Sequence, residues 1–219
     1  MYGNSSSDAR DGFQALRQYV RPKPPGERCD LCAAPVAPEH QHLLEPASRA
    51  LICSCEACAI LFSTRDSKYR RVPRQIRLVE RFHLTDELWE DLAIPINMAY
   101  FYQDSVAGRA KASYPSPAGA TESLLALDAW EQLVIANPTL KTMEPDVEGL
   151  LVNRLGALSG STEAEYFLLP IDQCYRLVGL IRTHWSGLSG GTEVWKEIQE
   201  FFAILRQRAF VVETEASRA

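Results

Sequence analysis

The chain contains Cys29-Asp-Leu-Cys32 and Cys55-Glu-Ala-Cys58, two pairs separated by 22 residues, and these pairs decide the fold of its amino-terminal part. Two thiolates with two residues between them converge on one ion, and two such pairs supply a tetrahedron of four sulfurs about 2.3 Å from the metal. Four ligands leave no open position for water, so such an ion supports folding and not catalysis. The spacing predicts a ribbon with one structural zinc ion, and iron is the less favoured metal.

Further ligand types lie close to these pairs and leave alternatives open. Cys53 is an alternate ligand, because it could replace Cys55 in a pair with Cys58 that has four residues between the thiols. His42 is a second alternate, as a ligand of an open site. The favoured interpretation of His40 and His42 is that they are surface residues or support the ligands from outside. A redox dithiol is the remaining alternative.

The segment between the cysteine pairs predicts a hairpin. Residues 42–44 and 50–52 have the pattern of two short strands around a turn, which is what a ribbon requires. On this basis we divide the chain into three parts. These are an N-terminal helix and proline-rich linker at residues 1–26, the ribbon at 27–64, and a mixed domain at 65–219.

The larger domain predicts strands followed by helices. Apolar residues alternate with period two between Ile94 and Tyr102 and between Ala110 and Tyr114, which predicts an antiparallel pair with one buried face. Further strands are predicted at 147–152 and 166–169. Two amphipathic helices follow, with apolar stripes that begin at Ile171 and Val194. The absence of β-α-β alternation favours an α+β domain with an antiparallel sheet and C-terminal helices.

Composition limits the cell compartment and the partners. No stretch approaches the roughly 18 apolar residues of a transmembrane helix, and the start of the chain lacks the apolar run of a secretory signal. We therefore expect a cytoplasmic protein with no membrane partner. Residues 1–81 carry 13 basic and 9 acidic residues, a net charge of +4, whereas residues 82–219 carry 10 and 19, a net charge of −9. Such polarity can orient a protein partner.

The segment from Tyr114 to Ser123 is the main candidate for binding outside the cysteines. It is predicted to be a loop, because it combines two prolines, a glycine and several hydroxyl groups. The residues that we expect to contact a partner are Tyr114, Ser116, Thr121 and Glu122. The alternative is an enzyme of unknown reaction in which Glu122 acts as an acid or base; no motif assigns any other catalytic residue.

A basic segment gives a third hypothesis. Between Arg65 and Arg77 there are six basic residues and one acidic residue, as in regulators that bind nucleic acid. Only Tyr69 supplies an aromatic ring for base stacking. A contact with the acidic second domain is therefore the favoured interpretation of this segment.

Several motifs together resemble a bacterial family of unknown function. They are Cys29-Asp-Leu-Cys32, His40-Gln-His42-Leu-Leu, Cys53-Ser-Cys-Glu-Ala-Cys58, the 114–123 segment, Pro145-Asp-Val-Glu-Gly-Leu-Leu-Val-Asn-Arg154 and Pro170-Ile-Asp-Gln-Cys-Tyr175. Genes of that family are often found beside those for uptake nickel-iron hydrogenases and their maturation factors. The resemblance implies a zinc-binding accessory protein whose partner is a hydrogenase subunit or a maturation factor. It implies no catalytic residue.

Overall fold

The structure is a computed structural model that describes residues 26–64, 67–124, 127–156, 163–187 and 189–213. The helix and linker predicted for residues 1–26 lie outside this range except for Gly26. Strands β1 to β10 span Gln41–Glu45, Ala50–Ser54, Arg70–Arg71, Arg77–Glu80, Met98–Asp104, Arg109–Ser116, Gly119–Ser123, Glu148–Asn153, Glu165–Pro170 and Phe210–Glu213. Helices α1 to α5 span Glu56–Leu61, Asp86–Asp91, Leu127–Ala136, Ile171–His184 and Gly191–Arg208, and a 3-10 helix spans Pro138–Thr142.

The cysteine region contains the hairpin that its sequence predicts. Strands β1 and β2 pair antiparallel, with Leu43 opposite Ile52 and His42 opposite Cys53. Strand β3 adds to the free side of β1, so a third strand of this small sheet comes from beyond residue 64. The part boundaries that we drew at residues 26 and 64 stay predictions.

The second sheet has seven strands in the order β10-β4-β9-β8-β5-β6-β7. Its described pairs are antiparallel except for β10 with β4, which run parallel. Helices α4 and α5 follow β9, β10 comes after them, and both helices carry the predicted apolar stripes on their buried faces. The prediction of an α+β fold with an antiparallel sheet and C-terminal helices is confirmed.

The prediction that only one face of the sheet is buried is wrong. In β5, Met98, Tyr100 and Tyr102 point into a core formed with α4 and α5. Ala99 and Phe101, which alternate with them, point into a second core formed with α2 and α3. Side chains on both faces of β5 are apolar, because helices cover both faces of the sheet. Alternation of apolar and polar residues therefore could not show which face is buried.

The prediction of a loop between Tyr114 and Ser123 is also wrong. These residues form the β6–β7 hairpin, whose turn is Pro117–Ala118, and Tyr114 lies opposite Thr121. Pro115 is tolerated in β6 because β5 pairs with β6 only as far as Ser113. At Pro115 there is no β5 residue to accept a hydrogen bond, so the N–H that proline lacks is not needed.

Within the described residues, no helix is long and apolar enough to cross a membrane.

Ion pairs and a histidine–carboxylate contact connect the small sheet to the larger domain. Asp146, which is fully buried, lies 3.0 Å from Arg70 and 3.4 Å from Arg49. His42 Nδ1 lies 2.7 Å from a carboxylate oxygen of Asp172, in the first turn of α4. Leu44 and Val72 also pack into the core of the larger domain. The cysteine region is therefore held against that domain by both charge and apolar contact.

Candidate metal centre

The structure brings the four predicted cysteines together. The sulfur atoms of Cys29, Cys32, Cys55 and Cys58 all lie within 4.8 Å of one another. The Sγ atoms of Cys32 and Cys55 are 3.7 Å apart. In a tetrahedral zinc site with zinc–sulfur bonds of about 2.3 Å, neighbouring sulfurs lie about 3.8 Å apart. The four thiols are therefore spaced to hold one metal ion.

Backbone hydrogen bonds shape the first cysteine pair into a tight turn. The Ala33 amide donates to the Cys29 carbonyl at 2.8 Å, and the Cys29 amide donates to the Ala34 carbonyl at 2.8 Å. The turn requires the left-handed conformation at Ala33, which has φ 59°. This geometry turns the side chains of Cys29 and Cys32 toward the same point.

The second pair is positioned by a helix start. Cys55 is the residue before α1, and Cys58 lies in its first turn, with the Ala59 amide donating to the Cys55 carbonyl at 2.9 Å. Asp30 joins the two pairs. Its amide donates to the Cys53 carbonyl at 2.8 Å, and its carboxylate accepts from the Cys53 amide at 2.8 Å. The first turn is thereby fixed beside the strand that leads into the second pair.

The electrostatics of the cluster favour a bound cation. Burial opposes ionisation of Cys29, but hydrogen bonds from the Cys55, Cys32 and Leu31 backbone outweigh it and lower the pKa of the Cys29 thiol to about 6. Burial, with the neighbouring thiols, raises the pKa of Cys58 to about 12. One thiolate at this site thus opposes the ionisation of a neighbouring thiol. A bound metal ion compensates the negative charge and so allows the thiols to ionise together.

The two alternate ligands lie in a different group. Cys53 and His42 are clustered with His40, and one ring nitrogen of each histidine and the Cys53 sulfur lie within 4.8 Å of one another. The His40 and His42 rings are 4.7 Å apart between centroids. The sequence signal for this group is His-x-His at the point where β1 begins, with a cysteine opposite the second histidine in the hairpin partner. We did not combine these three residues when predicting sites from the sequence.

The candidate binding residues of the 114–123 segment do not share one face. Alternation and pairing place Tyr114, Ser116 and Thr121 on one face of the β6–β7 hairpin and Glu122 on the other. Thr121 Oγ1 and Ser116 Oγ are 3.1 Å apart, and Tyr114 packs partly against the second core. Glu122 is exposed and lies 3.6 Å from Lys111 and 3.8 Å from Arg109.

The basic segment is paired with acidic residues. Of its described basic residues, four form ion pairs. These pairs are Lys68 with Glu45, Arg70 with Asp146, Arg71 with Glu56, and Arg77 with Glu148. Contacts of this kind reduce the positive charge available to phosphate groups.

Sequence reasoning missed an apolar patch beside the cysteines. Ile60, Leu61 and Phe62, at the end of α1, are 59%, 68% and 43% exposed. Only the buried Ala59 separates them from Cys58, and the Phe62 amide donates to the Cys58 carbonyl at 2.9 Å. Three consecutive apolar residues after a metal-binding pair were visible in the sequence, but only the structure shows that they are exposed.

Comparison with known proteins gives a family assignment. Residues 28–209 match DUF5947, a family of unknown function. No curated protein and no solved structure matches the chain. The match covers the cysteine cluster and nearly all of both sheets.

Proposed function

We propose that this chain, which belongs to DUF5947, a family of unknown function, is a zinc-binding accessory protein. In this role it binds another polypeptide. The observation that carries the proposal is the exposed patch of Ile60, Leu61 and Phe62 directly beside the four-cysteine cluster. Contiguous exposed apolar residues are typical of protein–protein contacts. In this proposal the metal has a structural role and the patch makes the contact.

We assign zinc to the cluster because of its donor set. Four thiolates in a closed arrangement suit zinc, and a small hairpin module buries too little apolar surface to fold without such support. Cys29, Cys32, Cys55 and Cys58 are the proposed ligands. A cytoplasmic location accords with this assignment, because thiols there stay reduced and available to a metal.

We further propose that the partner is a nickel-iron hydrogenase subunit or maturation factor. The support for this step is the motif resemblance, which connects the family to hydrogenase genes. In a host that encodes such an enzyme, deletion of the gene should lower the amount of active hydrogenase. Unchanged hydrogenase activity and subunit processing would remove the hydrogenase part of the proposal and leave the interaction part standing.

Replacing Ile60 and Leu61 together with aspartate is expected to lower recovery of the partner at least about tenfold, because exposed apolar anchors dominate such contacts. The measurement is co-purification of the tagged full chain with hydrogenase subunits and maturation factors, quantified by mass spectrometry. Folding should be nearly unaffected, since both side chains are on the surface.

Ile135→Asp is the matched control, because Ile135 is 69% exposed on α3 and lies outside the patch. It should leave recovery unchanged, and an equal loss in this variant would contradict the assignment.

Glu122→Ala and Thr121→Ala test the two faces of the β6–β7 hairpin in the same assay. Loss of an enzymatic turnover in Glu122→Ala with unchanged partner recovery would favour the enzyme alternative.

The wild-type protein is expected to bind nucleic acid only weakly at about 150 mM salt, because most described basic residues of the segment are paired with carboxylates. Mobility-shift titration is the measurement. Sub-micromolar binding that disappears in an Arg70→Glu, Arg71→Glu double variant would contradict this. Arg74→Glu is a useful comparison, because Arg74 has no acidic partner among the described residues.

A further inference from the structure

The hairpin places a second set of metal-binding side chains on one face. His42 is the second residue of β1, and His40 immediately precedes the strand, with the two rings 4.7 Å apart between centroids. Cys53 in β2 lies directly opposite His42, and residues that are directly opposite share a face. One nitrogen of each ring and the Cys53 sulfur accordingly lie within 4.8 Å of one another.

Hydrogen bonds fix the orientation of both imidazole rings. His42 Nδ1 lies 2.7 Å from Asp172 Oδ2, and His40 Nδ1 lies 2.9 Å from the Ala37 carbonyl. An ionised carboxylate and a carbonyl only accept hydrogen bonds, so Nδ1 of each ring is the donor. In the neutral rings the free lone pair is then on Nε2. Histidine ligands of metals are typically held in this way, with the other ring nitrogen donating to a carboxylate or carbonyl oxygen.

His40 also has a buried nitrogen without a partner. Its side chain is only 6% exposed, and Nε2 has no hydrogen-bond partner among the described residues. Buried polar atoms in native proteins are nearly always paired, and an unpaired one indicates a group that is still to be bound. This nitrogen is the atom that the Nδ1 hydrogen bond leaves available as a ligand.

We propose that His40, His42 and Cys53 form a second metal site, separate from the four-sulfur cluster, which binds a divalent transition metal through two imidazole nitrogens and one thiolate. This donor set suits Zn²⁺, Co²⁺, Ni²⁺ or Cu²⁺ and does not suit Mg²⁺ or Ca²⁺, which require oxygen ligands. The Asp172 carboxylate balances the charge that remains on the bound ion and thiolate.

Three protein ligands leave a coordination position open. A cavity of about 580 Å³ adjoins the site, and both histidines line it. Its charged lining consists of Arg74, Arg176 and Arg208 with the carboxylates of Glu27, Glu39 and Asp172. Arg74 and Arg176 have no ion-pair partner among the described residues. The open position therefore takes water or another small donor that enters from this cavity, in contrast to the closed cluster.

Titration of the metal-free, reduced full-length protein with Zn²⁺ against a chromophoric chelator tests the site. Two equivalents should bind per chain, and the second should bind more weakly because it has fewer protein ligands. X-ray absorption of the wild-type protein loaded with two equivalents should give an average of about 2.5 sulfur and about 1 nitrogen ligands per zinc, with the donor at the open position making up the rest. This measurement needs no variant.

His42→Ala and Cys53→Ser should each lose the second equivalent and keep the first. His184→Ala is the control, because His184 is also a half-buried histidine whose Nδ1 contacts a backbone carbonyl, and it should keep both. One equivalent with four sulfurs in the wild-type protein, or a second equivalent that survives in both variants, would overturn the inference and leave the proposed zinc ribbon intact. Absence of any bound metal would overturn both.

Discussion

Replacing Cys58 with serine is expected to release the metal of the four-cysteine cluster and to unfold residues 28–61 locally, and Cys32→Ser should act in the same way. A ligand present at 1,000 times its Kd stabilises the folded state by about 4 kcal/mol, and this contribution would be lost. For a chain of this size the loss corresponds to a fall in Tm of about 10 °C. Metal analysis, thermal unfolding and amide hydrogen exchange across β1, β2 and α1 are the measurements.

Cys53→Ser is the matched control for this prediction. Cys53 lies only two residues from Cys55 but belongs to the group with His40 and His42, so its loss should leave the four-sulfur metal in place. A fully folded wild-type protein without metal would contradict the structural role. Stoichiometric iron with a visible chromophore would contradict the choice of zinc.

Metal binding at the four-cysteine cluster should weaken as pH falls. Cys58 has a pKa of about 12 without metal, so binding near pH 7 must displace its proton, and a higher proton concentration favours the metal-free form. Cys29, with a pKa of about 6, is already a thiolate near pH 7 but adds a further competing proton below about pH 6. The apparent zinc affinity should therefore decline more steeply below about pH 6 than between about pH 8 and pH 7.

Local patterns explain which parts of this structure were predictable. The two cysteine pairs, the β1–β2 hairpin between them and the stripes of α4 and α5 all depend on residues close in sequence, where spacing and periodicity are informative. The β6–β7 hairpin was mistaken for a loop because Pro115, Pro117 and Gly119 are the usual signals of irregular structure. Only the early end of the β5 pairing makes Pro115 acceptable in a strand.

Contacts between distant segments could not be predicted. His42 and Asp172 are 130 residues apart, and neither residue has a local signal that names the other. The burial of Asp146 depends on how the cysteine region packs against the second sheet. The grouping of His40, His42 and Cys53 could have been predicted from the register of the hairpin. The orientation of the His42 ring could not, because it depends on Asp172.

Asp146→Asn is expected to lower the free energy of unfolding by about 3 kcal/mol, because it removes the negative charge from a buried ionic cluster. The carboxylate of Asp146 is fully buried, lies close to Arg49 and Arg70, and accepts a hydrogen bond from the Ser105 amide at 2.9 Å. The Arg49 guanidinium is mostly buried and stacks over the Tyr102 ring at 4.3 Å, so it would remain as a poorly compensated charge. Urea unfolding of the full chain gives the free energy.

Asp128→Asn is the control, because Asp128 is exposed on α3 and its charge should matter by less than about 0.5 kcal/mol. A similarly small effect at Asp146 would show that the arginines find other partners.

A double variant of Asp146→Asn with Cys58→Ser gives a sharper test of how the two parts of the chain are coupled. Arg49 and Arg70 are carried by the small sheet, and if that sheet is unfolded they are no longer held against Asp146. The two substitutions should then destabilise the protein by less than the sum of their separate effects, whereas strict additivity would show that the metal and the ionic cluster act independently.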